Sequence, residues 1–388
     1  MQSDTRPRKK EPLDQQKINQ FASLVMHDLE ATAHSALAYI GDLLGFYKAM
    51  AKVKDNTLTS EELANLTGTN ERYTRDWLAE QASKHYILYH PSTGAYSLPQ
   101  EHAEVLVNEM SHYNLAGGFQ LLISLIKEYP KIAESFRTGR GFEWSSQNNG
   151  VFEGQARLNS SQYRANITDK WIPALNGVEN KLRSHEGAKV ADVGCGYGIS
   201  TAIMAKGYPS SRFVGFDNHP LSIEIARKRA IEQGLVDRDR LRFVAAEAES
   251  FPVYDDRYDL VTFFDCFHDM GNPFVVARHV KNALKPDGTL MLVEMASSDN
   301  IEENIASPVG TNGYAGSIFV CLPTAFAQMK KSIAMVDSQS EHELKVLPLG
   351  GMPGMKAFEN ILRTCGFTKF RCALKDESNM ILEAKPDW

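Results

Sequence analysis

The segment Lys189-Val-Ala-Asp-Val-Gly-Cys-Gly-Tyr-Gly198 decides the fold of this 388-residue chain. Its first five residues have the apolar character of a short buried strand, and a helix is predicted to begin near Ile199. Glycines occupy every second position between the two, at Gly194, Gly196 and Gly198. Because glycine has no side chain, a ligand can lie directly against such a loop. The segment therefore predicts the first strand, loop and helix of a ligand-binding parallel sheet.

The spacing of the glycines narrows the class of ligand. A dinucleotide fingerprint requires glycine at the first, third and sixth positions, and the sixth position here is Ile199. A Lys-Ser/Thr pair does not follow, which excludes a phosphate-binding P-loop. Asp192, two residues before the first glycine, would repel a pyrophosphate but attract an ammonium or sulfonium group. The loop therefore favours a cationic nucleoside, S-adenosylmethionine (SAM).

Acidic residues follow the next two predicted strands. The strand that begins at Arg212 ends at Asp217, about twenty residues beyond the glycines, where a carboxylate binds a ribose diol. The strand that begins at Leu241 ends before Glu247, at the position expected to meet the adenine. The predicted cofactor-binding residues are Asp192, Gly194, Cys195, Gly196, Gly198, Asp217, Asn218, Glu247, Ala248, Phe264 and Asp265.

These motifs continue with Tyr258-Asp-Leu-Val-Thr-Phe-Phe264 and with Leu284-Lys-Pro-Asp-Gly-Thr-Leu-Met-Leu-Val-Glu294. In this order they resemble the class I SAM-dependent methyltransferases over residues 186–388. The resemblance implies an α/β fold with a Rossmann-like seven-stranded sheet, closed by an antiparallel hairpin, and a substrate insertion at residues 296–355. Glu247 departs from the family, which more often has Asp at this position.

The region before the glycine loop is predicted to form a separate winged-helix domain at residues 21–110, after a disordered tail at residues 1–20. Helices are followed there by a hairpin between Tyr86 and Leu98. The domain has six Lys or Arg against twelve Asp or Glu, and its wing has none of the basic residues that a DNA backbone requires. It resembles the dimerisation domain of small-molecule O-methyltransferases, which implies a homodimer and no nucleic-acid partner. Residues 111–185 are predicted to form a helical connector that roofs the active site.

The candidate catalytic residues are His268 and Glu294. His268 lies in the segment Phe264-Asp-Cys-Phe-His-Asp-Met270, after the fourth strand, and imidazole is an effective base near neutral pH. The segment resembles the His-Asp-Trp element of plant-type O-methyltransferases, whose histidine is the catalytic base, although Met270 replaces the tryptophan. Glu294 would orient the imidazole. The alternative for His268 is a pocket contact without proton transfer.

Composition excludes several other classes of protein. A net charge of −6 gives no indication of affinity for nucleic acids or membranes, and no apolar run is long enough to span a bilayer. Five cysteines are scattered without a CxxC pair, which predicts reduced thiols in a cytoplasm and no metal site.

The sequence thus predicts a cytoplasmic SAM-dependent methyltransferase that acts on a small metabolite, with the acceptor atom (O, N, S or C) left open. Two alternatives remain at this stage. One is a winged-helix transcriptional regulator that uses a methyltransferase-like domain as a SAM sensor. The other is a methyltransferase-like enzyme that binds SAM for different chemistry.

Overall fold

A computed structural model describes residues 12–53, 57–235, 237, 239–335 and 348–386 of the chain. The chain divides into two compact units, with the division between Asn108 and Glu109. Within the described residues, none of the helices combines the length and apolar character needed to cross a membrane.

The first unit is a winged helix, as the sequence predicts. Its two short strands form an antiparallel hairpin, and Leu58 adds a bridge to Tyr96. The Trp77 ring packs against Phe46 and against the backbone of Gly41, where any side chain would collide with it. The elements are α1 (Gln15–Leu43), α2 (Phe46–Lys52), α3 (Ser60–Thr67), α4 (Glu71–Ser83), β1 (Leu88–His90), β2 (Ala95–Ser97) and α5 (Gln100–Leu106).

Capping side chains determine where these helices begin. Thr59 and Glu62 form the predicted capping box of α3, and Asn70 caps α4. Asp14 accepts from the amides of residues 16 and 17, so α1 begins at Gln15. The predicted disordered tail therefore ends earlier than residue 20, and its residues 1–11 lie outside the described part of the chain.

The second unit contains the predicted seven-stranded sheet. Its strand order is β5-β4-β3-β6-β7-β9-β8; the first five strands are parallel, and β9 and β8 form the antiparallel hairpin that closes the sheet. The strands are β3 (Lys189–Val193), β4 (Arg212–Asp217), β5 (Leu241–Ala245), β6 (Tyr258–Phe264), β7 (Leu284–Met295), β8 (Phe367–Lys375) and β9 (Asn379–Pro386).

Helices precede, connect and follow these strands. Those before the sheet are α6 (Ala116–Ile126), α7 (Tyr129–Thr138), α8 (Asn149–Asn166), which continues as a π-turn (Ile167–Trp171), and α9 (Val178–Arg183). Those that connect the strands are α10 (Ile199–Gly207), α11 (Pro220–Glu232) and α12 (Pro273–Ala283). After β7 come α13 (Ile301–Ala306), α14 (Pro308–Gly316), a π-turn (Ser317–Cys321), α15 (Leu322–Met335) and α16 (Met355–Thr364).

The sheet is buried on both faces because each strand alternates its side chains between two apolar clusters. Val193 and Phe263 belong to the cluster on one face, and Val190 and Leu260 belong to the cluster on the other. Burial of each such side chain contributes about 1.5–3 kcal/mol. The carboxyl ends of β3, β4 and β6 meet at one edge of this sheet, where open α/β folds bind their ligands.

Candidate active site

A cavity of about 980 Å³ opens at this carboxyl edge. The loops after β3 and β6 form one wall, and α8, α14 and the π-turn at Ser317–Cys321 form the others. A smaller cavity of about 90 Å³ adjoins it and shares Gly194, Asp217 and Asn218 with it. Together they provide an elongated site on the second unit.

The glycine loop is held in place by hydrogen bonds within the chain. The amides of Gly194 and Cys195 donate to the carbonyl of Phe216 at 2.8 and 2.9 Å, and the amide of Gly196 donates to Asp217 Oδ2 at 2.8 Å. Gly194 has a φ of 74°, and a side chain at this residue would meet the Cys266 sulfur at 2.5 Å. Glycine is therefore required here both by backbone conformation and by space.

Asp217 connects this loop to both cavities. Its side chain is 8% exposed, and Oδ1 accepts from the amide of His219 at 2.9 Å. Burial raises the pKa of Asp217, and the hydrogen bonds from His219 and Gly196 partly offset this effect. Next to it, Asn218 Nδ2 donates to Glu247 Oε2 at 3.0 Å. Asp217, Asn218 and Glu247 thus all line the smaller cavity, with the last two joined by a hydrogen bond.

Asp192 has a different environment from the one the sequence suggested. Its carboxylate is buried and accepts from Ser200 and Thr201 at 2.6 Å each and from Thr262 at 3.0 Å. Burial raises its pKa to about 6, against the opposing effect of these hydroxyl groups. Instead of facing a cationic ligand, the side chain joins β3 to α10 and β6 from behind the loop.

Asp192→Ala is expected to destabilise the second unit by about 1–3 kcal/mol, because hydroxyl donors in a buried position lose their acceptor. Asp192→Asn keeps one oxygen acceptor and should therefore destabilise the second unit less. Thermal unfolding of the three proteins followed by circular dichroism measures the difference. Equal melting temperatures for the wild type and Asp192→Ala would contradict this structural role.

Aromatic rings flank the end of β6. Phe264 packs against Tyr163 and Trp171 and also lines the large cavity with Tyr163. Trp171 is fully buried and belongs to the core. Phe267, by contrast, is buried between Phe263 and Phe358.

Asp265 follows this strand in an unusual backbone conformation, with a φ of 51°. Tyr163 donates to its Oδ2 at 3.4 Å. Burial and the nearby Glu294 raise the pKa of Asp265 to about 7. Such backbone strain occurs most often at functional sites, and Asp265 lines the large cavity.

His268 lines the same cavity from a short 3₁₀ turn (Phe267–Asp269). Its Nδ1 donates to the buried Glu294 at the end of β7. Its Nε2 lies 3.3 Å from Asp269 Oδ1 and 3.3 Å from Cys321 Sγ. Burial lowers the pKa of His268, but Glu294 and then Asp269 act more strongly in the other direction, and the pKa is raised well above 6.5.

Two residues of this group were absent from the sequence-based prediction. Asp269 adjoins His268, but nothing in the spacing indicates that its carboxylate turns towards the same point. Cys321 is 53 residues further along, in the insertion after β7. Its position on a π-turn cannot be derived from the sequence pattern, and only the folded insertion brings its sulfur to the imidazole.

Most of the predicted site residues meet around these cavities. Those that line the large cavity are Gly194, Cys195, Gly196, Asp217, Asn218, Phe264, Asp265 and His268. Glu247 and Ala248 line the small one. Gly198 faces a separate cavity on the other side of α10, and Asp192 and Glu294 are buried behind the lining residues.

Comparisons with known families identify two regions of the chain. Residues 184–343 match the methyltransferase domain family, and residues 32–108 match the Rv2258c-like winged HTH domain family. The two matches correspond to the sheet-containing unit and the winged helix described above.

Similar sequences are found among O- and N-methyltransferases. The chain is 35% identical over 126 residues to a ubiquinone biosynthesis O-methyltransferase of Haemophilus ducreyi, a stretch that covers 30% of this chain and 50% of that protein. It is 31% identical over 149 residues to a sarcosine/dimethylglycine N-methyltransferase of Aphanothece halophytica, covering 37% and 51%. The chain thus spans about half the length of the curated relatives it matches.

Solved structures resemble the chain over nearly its whole length. The mitomycin 7-O-methyltransferase MmcR superposes with a TM-score of 0.67 at 16% identity and covers 95% of this chain and 99% of its own. Human N-acetylserotonin methyltransferase, solved in complex with SAM, gives a TM-score of 0.65 at 14% identity, with 98% and 100% covered. At these identities the likeness establishes the fold.

Proposed function

We propose that this chain, which joins a methyltransferase domain to an Rv2258c-like winged helix-turn-helix domain, is a SAM-dependent methyltransferase acting on a small molecule. The observation that carries the proposal is a single cavity lined both by the glycine loop with Asp217 and by the imidazole of His268. A methyl donor and its acceptor need such an arrangement, with the reacting atoms held between them.

The part of the cavity formed by the glycine loop suits the nucleoside part of SAM. The backbone of Gly194 and Gly196 has no side chain that would keep a ligand away. The carboxylate of Asp217 accepts two hydrogen bonds from the backbone and has further lone pairs on the side of the cavity. These lone pairs can accept from both ribose hydroxyls. Asn218 and Glu247 line the adjoining small cavity, which suits the adenine. Bound here, SAM would supply an activated methyl group on a sulfonium.

The part of the cavity beside His268 prepares the acceptor. His268 is held by the bond from Nδ1 to Glu294, and its Nε2 lies beside Asp269 and Cys321, which line the cavity with it. The base is the neutral imidazole, whose fraction grows as the pH rises towards the raised pKa of His268. In the simplest mechanism its Nε2 takes the proton of the acceptor while the methyl group arrives, and Glu294 stabilises the imidazolium that forms. Apolar side chains, including Leu125 and Phe152, also line this cavity.

The proposed activity is tested by incubating the protein with SAM and a panel of phenols, amines and thiols and measuring S-adenosylhomocysteine. We expect micromolar SAM binding by calorimetry and turnover with at least one acceptor class. Absence of SAM binding would overturn the proposal at its first step. Binding without turnover, together with a mobility shift of DNA in a SAM-dependent manner, would favour the sensor alternative.

We also propose a homodimer formed through α1. In the described first unit, residues 12–33 are all exposed. The exposed side chains of α1 include the apolar Phe21, Leu24 and Leu29. An apolar surface of this extent on a helix is typical of a protein interface. A second copy of the chain is its expected occupant, because the winged-helix domain resembles dimerisation domains of small-molecule methyltransferases.

Light scattering should therefore give twice the chain mass of 43.3 kDa at micromolar concentration. Leu29→Glu should shift the protein towards the monomer, since a buried unpaired carboxylate opposes association. The matched control is Ile231→Glu on α11, because Ile231 is 62% exposed and Leu29 is 60% exposed. A monomeric wild type, or a Leu29→Glu variant as dimeric as the control, would contradict this interface.

We place the protein in the cytoplasm. All five cysteines carry free thiols, and three of them are buried. Reduced cysteines in this number are typical of a reducing compartment. The acidic balance of the winged-helix domain supports a role without nucleic acid.

A further inference from the structure

Three potential metal ligands converge where His268 lines the cavity. His268 Nε2, a carboxylate oxygen of Asp269 and Cys321 Sγ all lie within 4.8 Å of one another. All three residues line the large cavity. Imidazole, carboxylate and thiolate together are the ligand types that zinc binds in proteins.

Two of the three distances between the ligand atoms match those of a tetrahedral zinc site. Zinc binds nitrogen and oxygen at about 2.0–2.2 Å and sulfur at about 2.3 Å, which places neighbouring ligand atoms about 3.3–3.6 Å apart. In the protein, Nε2 is 3.3 Å from Asp269 Oδ1 and 3.3 Å from Cys321 Sγ. An ion can therefore enter between them with only a small shift of side chains.

The surroundings of these atoms favour a cation. Asp269 Oδ1 is buried, and in the described part of the chain its charged neighbour is the imidazole of His268, whose Nε2 is 3.3 Å away. On the other side of the imidazole, Glu294 accepts from Nδ1, as carboxylates do behind metal-bound histidines. This contact keeps the proton on Nδ1, so that Nε2 presents a lone pair to Asp269 and Cys321 once its own proton has left.

We propose that His268 Nε2, Asp269 and Cys321 bind a divalent transition-metal ion of the zinc class. Binding replaces the thiol proton of Cys321 and any proton on Nε2, and both leave to solvent. A thiolate, a carboxylate and a neutral imidazole then surround the dication, with no net charge. This revises the sequence-based expectation of no metal site, which rested on the lack of a CxxC pair.

Displacement of the thiol proton is the demanding step. Burial raises the pKa of Cys321 to about 12, with Asp269 acting in the same direction. A coordinated metal deprotonates a thiol outright, so the dication can replace this proton where solvent does not.

The metal also defines the class of acceptor, an inference that rests on the proposed function. His268, Asp269 and Cys321 all line the cavity and would hold the ion with three protein ligands, as catalytic zinc sites do. Such an ion would lower the pKa of a thiol or hydroxyl acceptor in the cavity, which favours these two acceptor classes. His268 would then be a ligand, and its imidazole would take the acceptor proton itself only in the metal-free protein.

The metal site can be tested without SAM or acceptor. The chelator-treated, full-length protein is titrated with Co²⁺ and followed by absorption spectroscopy, and Zn²⁺ is then added in competition. We expect one equivalent of Co²⁺ per chain, with a thiolate-to-cobalt charge-transfer band that Zn²⁺ removes. A wild type without this band overturns the proposal and leaves a hydrogen-bonded triad.

Variants locate the ligands. Cys321→Ser should abolish the charge-transfer band, and Glu294→Gln should weaken metal binding by about 10–100-fold. Cys266→Ser is the matched control, because Cys266 lines the same cavity but its sulfur contacts the carbonyl of Val193. Circular dichroism checks that each variant is folded. A band that persists in Cys321→Ser but disappears in Cys266→Ser would assign the metal elsewhere and refute the site.

Discussion

His268→Ala is expected to lower kcat by about 10²–10⁴-fold, the range typical of a lost acid–base group. The loss follows whether Nε2 takes the acceptor proton itself or holds the metal that ionises the acceptor, because both roles use the same atom. SAM affinity should stay nearly unchanged, since the side chain of His268 contacts Glu294, Asp269 and Cys321 rather than the glycine loop or Asp217. Steady-state kinetics with the acceptor found in the panel and calorimetry with SAM measure the two quantities.

The control for this variant is His279→Ala. His279 is on α12, and its Nε2 donates to the carbonyl of Phe251 rather than facing the site. Its replacement should leave kcat near that of the wild type. A decrease of less than about tenfold in His268→Ala, or one that appears in KM alone, would make His268 a pocket contact without a part in the chemistry.

Asp217→Ala is expected to weaken SAM binding by about 100-fold or more. Hydrogen bonds to a charged group contribute about 1.5–3 kcal/mol each, and two such bonds to the ribose are lost. The change also releases the amide of Gly196, so the loop loses part of its support. Calorimetry with SAM gives the affinity, and circular dichroism shows whether the fold is retained.

Asp217→Asn separates the two contributions. It has the same shape and keeps one oxygen that can accept from Gly196, but it has no charge. We expect an affinity between those of the wild type and Asp217→Ala. If the alanine variant binds SAM as the wild type does, Asp217 has no part in the cofactor site.

Much of the fold could be predicted because it depends on local patterns. The alternation of apolar residues and the glycines after β3 determine a strand, a loop and a helix within about ten residues of chain. The capping box at Thr59 and Glu62 likewise depends on neighbouring residues. For the same reason, the position of Asp217 at the end of a strand could be predicted.

The remaining features depend on contacts between distant segments. Asp192 was expected to contact the ligand. Its position in the sequence gives no indication that hydroxyl groups from α10 and β6 enclose its carboxylate. The sequence pattern indicates no role for Cys321, because only the folded insertion brings its sulfur to His268. The start of α1 was missed because the cap at Asp14 precedes the first apolar residues of the helix.

The hydrogen bonds of the glycine loop have a consequence for hydrogen exchange. Backbone amides at Gly194, Cys195, Gly196 and Gly198 already donate within the chain, so their exchange with deuterated solvent should be slow before any ligand is added. Binding of SAM should then add little protection in this loop. The ordering of these residues takes place when the chain folds, and the ligand meets a loop whose entropy has already been lost.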